Sequence, residues 1–315
     1  MKKRILTGSI MLLAVALFVA SRIFTEYAFD LFIGVIAIIG CVEVARVLEQ
    51  KRMFTSVLFV GVIPAIMYLA IIIGIRNERE WYFYLIYFLV IVVVMFILNV
   101  LFTLIFKGAT AREKDKYGLY DSNSKYAFKK GMNSTFILVY PALLFSALFL
   151  INHYFDLSFV GAGDLKFNTI VTIFYLVFIF AVTMLTDTFA LVWGMLIGGP
   201  KLCPKISPKK TISGAIGGFI FGALGGLLVY YLFSTNTLFK EAITEFNFEG
   251  WKFLIVAAVT SIVGQIGDLI ASALKRSARV KDYGTLFPGH GGVMDRVDGL
   301  ICNAVVVLIS MFIMI

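Results

Sequence analysis

Charge is what this sequence has least of. Asp, Glu, Lys and Arg make up 15% of the 315 residues, while 60% are hydrophobic and the mean hydropathy is +0.94. An ordinary soluble domain carries roughly a quarter charged residues, so that class is excluded. Cysteine is scarce as well. Cys41 and Cys302 lie in apolar runs and Cys203 in a polar loop, so there is no disulfide framework, and no CxxC or Cys/His cluster points to zinc. Internal repeats and low-complexity tracts are missing, which leaves an inverted-repeat transporter without support. No basic stripe interleaved with aromatics lies outside the apolar runs. The net charge of +9 is therefore not the footprint of nucleic acid, and no nucleic-acid partner is expected.

What the chain does have is apolar runs of membrane length. A helix crosses a hydrocarbon core of about 30 Å with about 20 residues. By that measure the pattern predicts an all-α, polytopic integral membrane protein with about nine transmembrane helices, at roughly 5–24, 27–47, 54–75, 81–106, 133–152, 168–190, 213–234, 251–274 and 299–315. Residues 1–132 read as a group of about four helices with a cytoplasmic loop, and residues 133–315 as the region carrying the chemistry. Lys2, Lys3 and Arg4 before a long apolar stretch resemble a signal peptide, but further spans follow at once, so a retained first helix is expected. With the N-terminus in the cytoplasm, most Lys and Arg fall inside. The outer side keeps Arg22, Arg76, Arg79, Lys166, Lys240 and Lys252, which is the skew of an N-in, C-out topology.

Polar residues within this pattern mark candidate sites. Glu43 and Arg46 share a helix face, either as a structural ion pair or as part of a site. Pro64 predicts a kink, and Trp81 to Tyr84 an interfacial aromatic belt. The polar stretch between Lys107 and Gly131 reads as a solvated connector, and His153 as a lone surface histidine. Asp187 sits at the end of an apolar run. A basic loop stiffened by Pro204 and Pro208 then leads into a glycine-rich helix start that favours anions. Gly222, Gly225 and Gly226 read as small-residue helix packing. Gly214 and Gly217 are open to packing or to phosphate contact.

The chain is organised around Gly264 to Gly299, which passes from an apolar run into a polar loop. An ionised Asp at mid-membrane costs roughly 2.5–3.5 kcal/mol, so Asp268 needs a cation or a proton. Lys275, Arg276, Arg279, Lys281 and Arg296 can hold phosphate oxygens, and Asp282, Asp295 and Asp298 a metal. Within this stretch, Ser272-x-Leu274-Lys275-Arg276, Lys281-Asp282-x-Gly284 and Pro288-x-His290-Gly291-Gly292-Val293-x-Asp295-Arg296-Val297-Asp298 fill fixed positions at the spacing of a known family. The pattern resembles that of the phosphatidate cytidylyltransferases, the CDP-diacylglycerol synthases. Asp187-x-x-Ala190 and Ser207-Pro208-Lys209-Lys210-Thr211 resemble a second region of that family. Leu191 and Ile212-Ser213 depart from it, where relatives carry Tyr and Trp-Glu, and the missing Glu removes one potential ligand or base.

The resemblance implies transfer of a cytidylyl group from CTP to phosphatidate, giving CDP-diacylglycerol and pyrophosphate. It also implies membrane lipid as surroundings, a homodimeric habit, and a bacterial plasma membrane with the active site facing the cytoplasm. A lipid phosphate is already a nucleophile, so no Ser-His or Cys-His pair is required, and none is evident. Gln265, Asp268, Ser272 and Lys275 share one polar helix face, to which Asp295 can return from the loop. Two facing carboxylates call for a hard cation, so Asp268 and Asp295 are the expected Mg²⁺ ligands. Lys275, Arg276, Lys281 and Arg296 are expected phosphate contacts, joined by Ser207, Lys209, Lys210, Thr211 and Ser272. Gly291 and Gly292 would allow close backbone approach. His290 is open between general base and loop or phosphate contact. Asp282 and Asp298 are open between the site and pairing with nearby Lys and Arg. Asp187 is open between a second cation, a substrate contact and a hydrogen-bonded helix end.

Overall fold

A computed structural model describes residues 2–50, 55, 57–79, 81–105, 123–157 and 165–315. Helices form at each apolar run. They are α1 (Lys2–Ser21), α2 (Glu26–Gln50), α3 (Val57–Arg76), α4 (Trp81–Ile105), α5 (Asn123–Ile137), α6 (Leu144–Asn152), α7 (Leu165–Leu196), α8 (Ile212–Phe233), the short α9 (Thr237–Glu245), α10 (Gly250–Ser277) and α11 (Met294–Met314). In lipid only internal hydrogen bonds can satisfy the backbone, which is why the apolar segments are helical. Among the described residues, seven helices are long and apolar enough to cross a membrane, with α5 and α6 counted as one continuous span, Ser124–Asn152. The expected nine are not reached by that measure. α1 is not among the seven, and the described apolar part of α3 is the shorter Val60–Arg76.

Other expectations are refined. α3 continues through Pro64 as a single helix. α5 and α6 are joined by a π-helical turn, Leu138–Leu143, in which Tyr140 takes an extended φ/ψ of −134°/113° ahead of Pro141. Of the polar stretch read as a connector, residues 106–122 lie outside the described residues. Its end, from Asn123 to Gly131, is helical as part of α5. There it packs closely on α4: a Cβ at Gly131 would lie 2.8 Å from Val100. The all-α architecture also carries one two-stranded antiparallel hairpin, β1 (Lys201–Cys203) and β2 (Ser207–Thr211). It occupies the proline-stiffened basic loop between α7 and α8.

α8 lies against α7 along its glycines. A Cβ at Gly217 would be 2.5 Å from Trp193, and one at Gly218 would be 2.7 Å from the Thr186 carbonyl. Gly217 thus packs against Trp193, one of the two roles its sequence left open. Where the backbones approach, Thr186 donates to Ser261 at 2.9 Å and Asn303 to Thr183 at 2.7 Å, tying α7 to α10 and α11.

His153 is not a surface histidine. It is 2% exposed, with Nε2 2.7 Å from Asp30 Oδ2 and Nδ1 2.7 Å from Asp156 Oδ2. Tyr68 and Asn152 also donate to Asp30, so α2, α3 and the segment after α6 meet at one buried carboxylate. Burial by itself would lower the His153 pKa. The hydrogen bonds to Asp156 and Asp30 and their charges outweigh it and raise the value to about 9. Because the folded pKa lies above the ordinary 6.5, the contribution of the imidazolium is complete below about pH 6.5 and is lost as pH rises through about 9. The shift corresponds to about 3 kcal/mol. Thermal unfolding in detergent should therefore move to lower temperature between pH 7 and pH 10, and His153→Gln should flatten that slope.

Candidate active site

The hairpin and the loop between α10 and α11 lie at the same end of the bundle. Arg276, in the last turn of α10, donates from Nε to the Ile206 carbonyl at 3.3 Å and from a terminal nitrogen to Val280 O at 2.8 Å. At the base of the hairpin Thr211 caps α8, its hydroxyl accepting from the Gly214 amide at 3.1 Å. Ser213, one of the departures from the family pattern, donates to the Gly198 carbonyl and to Thr211. It serves the turn between the hairpin and α8. Ser207 is half-buried on β2 and Lys209 is exposed.

Below the hairpin lies an acidic group. Asp187 and Asp268 each sit nine residues before the end of their helices, α7 and α10, or about 13 Å of helix. Lys210 reaches down from β2 to Asp268 Oδ2 at 2.5 Å, and Ser272 donates to Asp268 Oδ1 at 3.3 Å. Asp187 is within electrostatic range of Asp268, Lys210 and Arg296, and Asp298 within range of Asp268, Asp187 and Lys275. Three carboxylates from three helices thus share a neighbourhood with three cationic side chains. Gln265, on the same face of α10, turns instead to the Ala215 carbonyl of α8 at 3.3 Å.

Asp295 has its own set of donors. Its carboxylate is buried: Oδ1 receives Lys275 Nζ at 2.7 Å, and Oδ2 receives the Tyr283 amide at 2.7 Å and the Gly292 amide at 2.9 Å. The Lys275 ammonium also lies 5.0 Å from the centre of the Tyr283 ring. Tyr283 donates its hydroxyl to the Ala271 carbonyl at 3.1 Å. Burial and the nearby charge of Asp298 push its pKa upward, so it remains a neutral donor.

Between these anchors the loop makes a tight turn. Pro288 is followed by Gly289 at φ +80°, and the His290 amide closes onto Phe287 O at 2.9 Å, with Gly291 next at φ +89°. Proline then glycine at positive φ suits a type II turn. The turn lines a cavity of about 450 Å³ together with Lys281, Asp282, His290, Gly291 and Arg296. Lys281, Asp282 and Arg296 are exposed along it. Lys281, Asp282, His290, Gly291 and Arg296 therefore gather at one cavity, whereas Lys210, Asp187, Asp268 and Asp298 gather under the hairpin, and Arg296 is common to both.

The sequence offered no view of two features. One is Tyr283, whose amide and hydroxyl hold the loop. The other is the partner of Glu43, whose carboxylate reaches the start of α11 rather than pairing within its own helix. An acid in an apolar run was the only available signal for the second. Among the described residues, one group brings three potential metal-ligand atoms within 4.8 Å of one another, and it is elsewhere: Glu26, His153 and Asp156.

Comparison with known proteins adds to this geometry. Residues 2–314 match the model of the cytidylyltransferase family. The chain belongs to that family. Over 129 residues it is 48% identical to a phosphatidate cytidylyltransferase of Brucella abortus, covering 41% of this chain and 43% of the relative. Over 145 residues it is 39% identical to a phosphatidate cytidylyltransferase of Staphylococcus haemolyticus, covering 45% of this chain and 52% of the relative. The chain thus spans about half the length of the curated relatives it matches.

Removing one partner of a buried ion pair leaves a charge uncompensated, typically at about 3–5 kcal/mol. Lys275→Ala is accordingly expected to destabilise the protein on that scale, while Arg276→Ala, on the exposed side of the same turn, shifts it by less than about 1 kcal/mol. Thermal unfolding of the two variants in detergent measures the difference.

Proposed function

We propose that this protein is a phosphatidate cytidylyltransferase, joining CTP and phosphatidate to give CDP-diacylglycerol and pyrophosphate at the cytoplasmic face of a bacterial plasma membrane. The observation that carries the reading is the joint placement of Asp187, Asp268 and Asp298 with Lys210, Lys275 and Arg296, at the bundle end where the hairpin and the α10–α11 loop meet. Acidic groups interleaved with cationic side chains at one membrane boundary suit the meeting of two polyanions. Membership of the cytidylyltransferase family supports it, as does likeness to phosphatidate cytidylyltransferases of other bacteria.

In this reading a phosphatidate oxygen attacks the α-phosphorus of CTP. The bond from that phosphorus to the bridging oxygen of the β-phosphate breaks, and pyrophosphate leaves with its electron pair. Because the lipid phosphate is ionised near neutral pH, the protein needs to align and neutralise rather than to activate a hydroxyl. Lys281 and Arg296, exposed on the cavity, bind phosphate oxygens of the nucleotide. Lys210, already at the acidic group, offsets charge on the leaving pyrophosphate. Gly289 and Gly291, without side chains on the turn, leave room for phosphate to approach the backbone, and His290 on the cavity wall orients it. Residues 133–315 carry these groups.

The donor set suits a hard divalent cation: carboxylate oxygens and one hydroxyl, with no sulfur or imidazole among them. Asp268 would hold it, with Asp187 and Asp298 adding negative potential, and the cation would compete with Lys210 for its oxygen. Asp295, expected from the sequence as the second ligand, has one oxygen on Lys275 and the other on the Tyr283 and Gly292 amides, so it would join only by giving up the Lys275 ammonium. Bound there, Mg²⁺ would supply charge neutralisation for the triphosphate.

Purified protein given CTP, phosphatidate and Mg²⁺ should release one pyrophosphate for each CDP-diacylglycerol formed. EDTA should stop the reaction. Asp268→Asn should lower kcat by at least about 100-fold without loss of membrane insertion. Release of CDP in place of pyrophosphate would make the protein a kinase and overturn the reading.

A further inference from the structure

Glu43 lies in α2, far along the chain from every residue placed at the site. It is 5% exposed, and its carboxylate spans the start of α11: Oε1 accepts the Val293 amide at 3.1 Å and Oε2 the Met294 amide at 2.8 Å. Val293 is the cap residue of that helix and makes no side-chain bond of its own there. The next amide back, from Gly292, is taken by Asp295. Three successive amides are therefore consumed by two carboxylates, one local and one delivered from the N-terminal part of the protein. A negative group at a helix N-terminus is favoured by the unpaired amides and the helix dipole.

The fit leaves no slack. A Cβ added at Gly284 or at Gly292 would collide with the Glu43 carboxylate, so both glycines of the loop are seated directly on it. Gly40, one turn earlier on α2, lies beside Phe145 and Met294. The face of α2 that carries Glu43 is thus pressed onto the first turn of α11, the turn that presents Asp295, Arg296 and Asp298.

We infer that Glu43 is a positioning residue for cytidylyl transfer, holding the first turn of α11 so that Arg296 faces the substrates, Asp298 the acidic group, and Asp295 its anchor on Lys275 and the loop. This inference rests on the function proposed above. It assigns residues 1–132 a part in the reaction, through one side chain that touches neither substrate. The same contact read as packing alone would affect stability and leave turnover intact.

Glu43→Gln keeps the side-chain volume but sets an NH₂ against one of the two amides, so one hydrogen bond is lost and a donor faces a donor. For the variant purified in detergent, hydrogen exchange at the amides of residues 291–295 should quicken by at least about tenfold, with exchange elsewhere in α2 and α11 unchanged. In the CTP assay kcat should fall at least about tenfold, while KM for phosphatidate stays within about threefold. Wild-type kcat alongside quickened exchange would overturn the positioning role, and unchanged exchange would overturn the contact itself. If Glu43→Gln does not fold, Glu43→Asp, which keeps the carboxylate on a shorter stem, is read by the same two measurements. Should the wild-type protein transfer no cytidylyl group, the proposed reaction falls, while the exchange result still decides whether Glu43 holds the turn.

Discussion

A carboxylate buried at a membrane boundary is stable only if its oxygens are filled, and Asp295 shows how much structure that requirement organises. One oxygen takes the Lys275 ammonium and the other takes two backbone amides, from Tyr283 and Gly292. Those three donors come from the end of α10, the middle of the loop and the threshold of α11. Satisfying one anion therefore closes a loop of irregular backbone onto two transmembrane helices. Tyr283 extends the closure through its hydroxyl to Ala271, and Glu43 completes it from α2. The cavity walls are what remains exposed once these anchors are made.

The same constraint acts on the other side of the acidic group. Lys210 could extend into water from β2, yet it turns down to Asp268, because an unpaired carboxylate that far from the helix end is costly. Close packing of α7 and α8 makes the reach short. Glycines at 217 and 218 let α8 lie on Trp193 and Thr186, and the hairpin that joins the two helices brings Lys210 to Asp268. Helix packing and the placement of charge are in this respect one arrangement.

Much of this was legible from residue order. The apolar runs determined where helices form, since a buried backbone has no other way to satisfy itself, and i,i+4 spacing placed Ser272 on Asp268. Long-range partners were not legible. Thr211 reads as a phosphate contact, and its role as the cap of α8 appears only with the position of the Gly214 amide. His153 reads as a surface group because its two acidic partners lie 123 positions before it and three after it, and only the first of these distances hides it. Lys275 was recognisable as a cation for the site, but not as the partner of Asp295.

The sequence by itself determined an α-helical membrane protein, the stretch that bears its chemistry and the residue types available there, because these depend on local hydropathy, local spacing and composition. Tertiary structure alone decided which charge neutralises which, and that the N-terminal helices reach the site through Glu43. The reason is physical. Hydrophobicity and helical periodicity act between neighbours in the chain, whereas pairing of buried charges depends on distances of a few ångströms that exist only after helices distant in sequence have packed.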